Sequence, residues 1–210
     1  MEYSFNMNKA PFIFAQKSEI NASYKDMSAV CDFIRYKKAS AALEAIDRFI
    51  AMEAPVPYRR HNKRMGARHE LGGTKGAYPV KAANEVRSVL VNAMANADSR
   101  GRSGQDMYII HAAANKTHIE RRYPSKGSLA WGRGMYGRAA MMHSDLEYAK
   151  VEIGLADGTE KELTKNMKYF IKKNQAMKGK EGPQPAKKVE KLQPQKKEKK
   201  PEKEKEKVKA

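Results

Sequence analysis

The chain has 210 residues and carries 42 Lys and Arg against 24 Asp and Glu, a formal net charge of +18. That length suits one or two small domains, and such a charge destabilises a compact chain by self-repulsion unless a polyanion neutralises it. No apolar run approaches the roughly 20 residues of a spanning helix, the opening MEYSFNMNKAPFIFAQ lacks the basic start and long apolar core of a secretory signal, and a single cysteine, Cys31, excludes an intramolecular disulfide and suits a reducing cytoplasm.

Residues 12–20, FIFAQKSEI, read as a short strand with imperfect alternation. Ser23 is a good helix N-cap with Asp26 three residues on, and Met27, Val30, Cys31 and Ile34 then recur on one apolar helix face. Cys31 reads there as a small buried hydrophobe. Ser40 is expected to cap a second helix with Leu43, Ile46, Phe49 and Ile50 on its apolar side, ended by APVP at residues 54–57 because proline cannot continue a helix. Residues 58–78 have no apolar periodicity but hold six Lys and Arg, two His and four Gly. A structureless stretch of that length inside a compact domain usually marks function or disorder. Pro79 suits a first helical turn, and Val86, Val89, Leu90, Ala93, Met94 and Ala97 predict a third, longer helix, ended by SRGRSG at 99–104.

MYIIHAAANKTHIERRY, residues 107–123, starts as a half-buried strand and continues with polar and basic residues on both faces. A second strand is read over 141–155, with Leu146 and Tyr148 on one phase and Val151 and Ile153 on the other, which predicts a bulge near Ala149 or Lys150. Together they predict a hairpin whose arms reach on the order of 50 Å, with Ile109 and Ile110 opposite Val151 and Ile153 at its base. The distal half has little to bury and requires an external support. Thr159 and Glu162 form a capping box ahead of a short helix with Leu163, Met167, Phe170 and Ile171 on one face. From Lys178 to Ala210 the chain holds 13 Lys and 6 Glu and is too polar to fold alone. The rest of the chain is basic too, so the tail does not account for the excess by itself.

Signals for catalysis are incomplete. Gly132, Gly134 and Gly137 follow the G-x-G-x-x-G order, and Asp157 lies 20 residues on. The preceding RRYPSKGSLAW, however, is no apolar strand, and a dinucleotide turn needs one. Glycines that let backbone approach phosphate closely explain the order better. His69-Glu70 opens like a zinc-protease motif, but position 73 is glycine, and His61, His111, His118 and His143 show no ligand spacing with Cys31. No cofactor and no metal are expected. Two regions interleave cations with aromatics. One is the loop with Arg59, Arg60, His61, Asn62, Lys63, Arg64, Arg68 and Lys75 between Tyr58 and Tyr78; the other is the hairpin with Lys116, Arg121, Arg122, Lys126, Arg133 and Arg138 beside Tyr123, Trp131 and Tyr136. Arginine fits phosphate bidentately and aromatic rings stack on unpaired bases. Any lone cation reads first as a solvated charge; clustering on segments without a core of their own favours RNA, and Trp131 among glycines reads as a contact.

VPYRRHNKRMGARHELGGTKGAYPVKAANEV, with its RRHNK run and its YPVKAA, resembles the loop and following helix of the universal large-subunit ribosomal protein twenty-two family in its archaeal and eukaryotic form, called large-subunit protein seventeen in eukaryotes. The strand 107–123 looks like that family's first hairpin strand, and the resemblance covers residues 12–153. It implies an α+β fold: a small antiparallel sheet packed with three helices, plus a long projecting hairpin, to which composition adds a disordered basic tail. It implies a non-catalytic constituent of the large ribosomal subunit that binds its rRNA, supports assembly and helps line the nascent-peptide exit tunnel. The partners implied are rRNA, neighbouring ribosomal proteins and the nascent polypeptide. By matching positions, Arg59, Arg60, His61, Asn62 and Lys63 would touch RNA, and Arg121, Arg122 and Tyr123 would lie toward the hairpin's distal half. Tyr123, Trp131, Arg133 and Tyr136 are tunnel-tip candidates, although PSKGSLAWGRGMYGRAAMM does not align cleanly with the family's basic tip. The organisation expected is an rRNA-binding domain over 1–155, including loop 58–78 and hairpin 107–155, a helical extension over 156–177 and a tail over 178–210. A free-standing RNA chaperone or assembly factor using the same surfaces, or a nucleotide-dependent enzyme using the Gly132 turn, are the readings from other classes.

Overall fold

In the computed structural model the structure describes residues 3–5, 12–120, 146–158 and 163–178. Strand β1 (Ile13–Asn21) leads into helices α1 (Tyr24–Ile34) and α2 (Ala39–Ile50). Two short strands, β2 (Val56–Pro57) and β3 (Gly76–Ala77), bracket the basic loop. Helix α3 (Val80–Ser99), strands β4 (Tyr108–Glu120) and β5 (Leu146–Ala156), and helix α4 (Lys165–Lys178) complete the order. The main sheet is antiparallel with β5 central, in the order β1-β5-β4. The fold is therefore α+β, a small antiparallel sheet with helices packed on it.

Both faces of the sheet are covered, which is why alternation in β1 looked imperfect. Ile13 and Ala15 join Ala149, Val151, Ile153 and Leu155 of β5 on the face packed by α1 and α3, and α2 packs against α3. Phe12 and Ile110 lie on the other face with Phe5, Ala156, Leu163 and Ile171, and Phe14 packs there too. The predicted apolar stripes of α1 and α3 supply Met27, Val30, Cys31, Ile34, Val86, Val89 and Leu90 to the first core. Burial of each large aliphatic side chain contributes about 1.5–3 kcal/mol. Arg87 Nε to Asp47 Oδ1 (2.6 Å) ties α3 to α2, and Lys17 Nζ to Glu85 Oε2 (2.6 Å) ties β1 to α3.

Several expectations are corrected. Ser23 holds the cap position in extended backbone, but its hydroxyl makes no cap hydrogen bond; its carbonyl accepts from Met27 N at 3.1 Å. Ser40 does not cap α2. The linker before it pairs with the β4 edge, through Tyr36 N to Ile109 O (2.7 Å), Ile109 N to Lys37 O (2.9 Å) and Ala39 N to Met107 O (2.8 Å), so the helix starts where that pairing ends. Lys38 is its cap residue. This linker also covers a strand edge that would otherwise present free backbone groups. α2 stops at Ile50, ahead of the prolines, with Met52 in the left-handed region at φ 58°.

The hairpin register also differs. Ile109 pairs with Leu155, Val151 with Ala114 and Ile153 with Ala112. The predicted bulge on β5 is absent. Its residues 149, 151, 153 and 155 keep one phase into the core, and Leu146 and Tyr148 belong to the other side. The extra residues sit on the partner strands instead: Ile110 and Thr117 on β4, and one of Ser18 and Glu19 on β1 opposite Lys150. The Thr159/Glu162 box lies outside the described residues. α4 starts at Lys165, where Thr164 Oγ1 accepts from Met167 N at 3.4 Å.

Candidate nucleic-acid interface

Loop 58–78 is not structureless. Val56 pairs with Ala77 and Pro57 with Gly76, which closes the loop at its base. Above that, Tyr58 N donates to Lys75 O (3.0 Å) and Arg68 N to Thr74 O (2.9 Å), and Ala67 bridges Lys75. A single 3-10 turn, His69–Leu71, leads into Gly72 and Gly73, both in the left-handed region. A side chain at position 76 would put its Cβ 2.6 Å from Leu71 Cδ1 and 2.9 Å from the Val56 carbonyl oxygen, so only glycine allows the two arms to close.

Tyr58 is 4% exposed and its hydroxyl donates to Asp26 Oδ1 at 2.7 Å. Burial pushes its pKa up and the Asp26 carboxylate adds to the rise. It anchors the loop to α1 and offers no ring to a base, which corrects its reading as an RNA-stacking aromatic. Tyr78 is half-buried beneath Arg68, whose guanidinium carbon lies 5.3 Å from the ring centroid. Arg68 Nε also donates to Gly76 O (3.1 Å), so this arginine, expected on RNA, braces the loop from within. Asn62 turns inward as well, its Nδ2 donating to Tyr58 O at 3.3 Å.

What faces solvent is a cluster of cations. Arg59, His61, Lys63, Arg64 and Lys75 are exposed. Arg60 is 62% exposed while its Nη2 reaches Asp32 Oδ2 (2.7 Å) and Ser28 Oγ (3.1 Å) on α1. His61 and Arg64 adopt left-handed backbone (φ 54° and 64°), a local cost of about 1–3 kcal/mol each that the closed loop sustains. The His61 ring meets Tyr24 edge-on at 5.9 Å. Lys25 on α1 joins this surface beside Arg59 and Arg60, lining a cleft of about 30 Å³ with them.

On the hairpin stem, β4 is exposed from Asn115 to Glu120, Lys116 included. Two rings face each other across the strands there: His118 stacks on Tyr148 at 4.5 Å with planes 13° apart. Arg121, Arg122, Tyr123, Lys126, Trp131, Arg133, Tyr136 and Arg138 lie outside the described residues, as do the Gly132 turn and His143. His69 and Glu70 sit on one 3-10 turn rather than an α-helix. Among the described residues no group of three or more His, Cys, Asp or Glu could hold a metal ion, and no helix is long and apolar enough to cross a membrane.

A family model described as ribosomal protein L22p/L17e matches residues 15–144. The chain belongs to this family. It is similar to the large ribosomal subunit protein uL22 of Methanocella arvoryzae, with 31% identity over 153 residues, which cover 72% of this chain and 95% of that protein. The uL22 of Methanocaldococcus jannaschii is 34% identical over 134 residues, 63% of this chain and 84% of that protein. That of Archaeoglobus fulgidus is 35% identical over 118 residues, 55% and 73% respectively. These relatives are archaeal, in keeping with the archaeal type of the L22p/L17e family.

Sequence reasoning brought the loop cations to one surface and missed Lys25, Tyr24 and the His118–Tyr148 pair. Lys25 is legible as an exposed position of an amphipathic helix, two residues before buried Met27, but nothing local says that the basic loop folds against that side. The His118–Tyr148 pair depends on a register that the bulge at Thr117 shifts.

Proposed function

We propose that this L22p/L17e member, a structural constituent of the large ribosomal subunit and not an enzyme, binds large-subunit rRNA through the loop 58–78 surface and the hairpin, supports assembly, and helps line the nascent-peptide exit tunnel of cytoplasmic ribosomes. One observation carries the RNA reading. The loop spends its aromatics, its amide and Arg68 on holding itself closed, and leaves Arg59, Arg60, His61, Lys63, Arg64 and Lys75 facing outward together. A cation cluster on a pinned backbone meets phosphates without ordering a loose chain first. Lys116 adds an exposed cation on the hairpin stem. Arg121, Arg122, Lys126 and Arg138 are further RNA-binding candidates on the segment between the two hairpin strands, with Tyr123, Trp131, Arg133 and Tyr136 as the tunnel-facing candidates. The rRNA-binding unit spans 1–155 with a helical extension over 156–177. The Lys/Glu/Pro tail over 178–210 adds non-specific attraction to RNA. Partners are rRNA, neighbouring ribosomal proteins and the nascent polypeptide.

Filter binding of the full chain to in-vitro-transcribed large-subunit rRNA tests this. Affinity is expected to fall steeply between low and high salt, as phosphate contacts require. Binding that ignores salt overturns the reading. Sucrose-gradient sedimentation is expected to find the chain stoichiometric in mature large subunits; presence only in precursors would instead make it an assembly factor. Crosslinking from Trp131 to nascent chains in purified ribosomes tests the tunnel assignment, and its absence removes that part alone.

A further inference from the structure

The stacked rings of His118 and Tyr148 stand where the hairpin no longer has a core to fill. β4 is exposed from Asn115 onward, and Tyr148 lies beyond Ala149, the outermost fully buried residue of β5. The two rings lie nearly parallel at 4.5 Å, and among the described residues neither has another ring or a cation over its second face. The Tyr148 hydroxyl donates to Glu120 Oε2 at 3.4 Å, which ties the edge of the ring to the neighbouring strand. The register bulge at Thr117 is what sets the two rings opposite each other, because His118 then pairs directly with Tyr148.

We infer that this pair is a stacking platform for one unpaired RNA base at the root of the hairpin. The inference rests on the RNA-binding reading above and adds to it a contact of different chemistry. A cross-strand aromatic pair contributes to sheet stability on its own, but on this pair the outer ring, His118, is exposed on edge strand β4 while Tyr148 backs it from the central strand, and an exposed flat ring is a surface on which any base stacks, whatever its sequence. The Glu120 carboxylate beside the rings repels phosphate, so the group presented here is a base face rather than a backbone. The loop cations take phosphates; the ring pair takes a base.

The two contributions separate by their response to salt. Full-length chains carrying Tyr148→Ala, His118→Ala, Tyr148→Phe or Arg60→Ala are titrated with in-vitro-transcribed large-subunit rRNA at several salt concentrations. Tyr148→Ala and His118→Ala are expected to weaken binding about tenfold with the salt slope unchanged, since stacking releases no counterion. Tyr148→Phe keeps the ring and is expected to bind like the parent chain. Arg60→Ala is expected to make the slope shallower. Unchanged affinity in both alanine variants, or a changed slope in them, overturns the platform while leaving salt-dependent binding by the parent chain, and with it the RNA reading, in place. Salt-independent binding by the parent chain overturns the RNA reading itself. Thermal melts identify a variant that fails to fold; His118 is exposed, so His118→Ala carries the test if Tyr148→Ala does not fold.

Discussion

Tyr58 and Arg60 are two residues apart and do opposite work. Tyr58 puts a phenol against the Asp26 carboxylate inside the domain, whereas Arg60 rests on Asp32 with most of its surface in water. Tyr58→Phe strands a carboxylate in a half-buried place and is expected to cost about 1–3 kcal/mol in urea denaturation. Arg60→Ala removes only a surface ion pair and is expected to cost less than about 1 kcal/mol, with its larger effect on RNA. An equal loss of stability in the two variants would erase the distinction drawn between anchor and contact. Cys31 is fully buried, and burial pushes its thiol up to about 12. The thiolate is the reactive form, so the native chain is expected to leave Ellman's reagent unreacted and to react only on unfolding. Rapid labelling of the folded chain would show that α1 opens.

The elements themselves were largely readable, because apolar positions recurring at helical spacing must find a core. The stripes of α1, α2 and α3 follow from that rule, and the two long strands from short apolar runs and alternation at the hairpin base. What escaped reading was set by partners distant in sequence. α2 begins at Ala39 because residues 36–39 pair with β4, and no propensity of Ser40 competes with those bonds. The two phases of β5 suggested a bulge in that strand, yet both phases are natural in a strand packed on both sides, and the extra residues lie on β1 and β4. The basic loop was legible as charge but not as structure: its order comes from Tyr58, Arg68 and Gly76, and all three look like RNA-binding or linker residues in sequence. Gly76→Ala is therefore expected to loosen the loop through its clash with the Val56 carbonyl, lowering rRNA affinity although no charge is lost. Circular dichroism should show the helix content unchanged in that variant; wild-type affinity would show that the loop need not be closed.

For the molecule as a whole, the second sheet face carries an ionic cluster among aromatic rings. Glu152, 1% exposed, accepts from Ser4 N (2.8 Å) and Ser4 Oγ (2.7 Å), and its other oxygen meets Lys150 Nζ at 2.6 Å. Burial pushes its pKa up, but Lys150 and Ser4 more than reverse this, so it titrates below 4.5. Nearby His111 is pushed below 6.5, mainly by burial, with Glu152 pulling partly back and Arg35 adding to the fall. Both groups bind fewer protons folded than unfolded in those windows, so each contributes stability at neutral pH that is lost on acidification. The denaturation midpoint is expected to fall in two stages, first below pH 6.5 and again below pH 4.5. His111→Gln should remove the upper stage alone; a flat profile between pH 7 and 5 would show that burial does not disfavour the protonated imidazole in the fold.

Ser4 gives that cluster a reporter at a single position. Its amide proton is held by a carboxylate inside the domain even though it stands close to the start of the chain. In hydrogen–deuterium exchange it should therefore keep time with the central strand rather than with a fraying end.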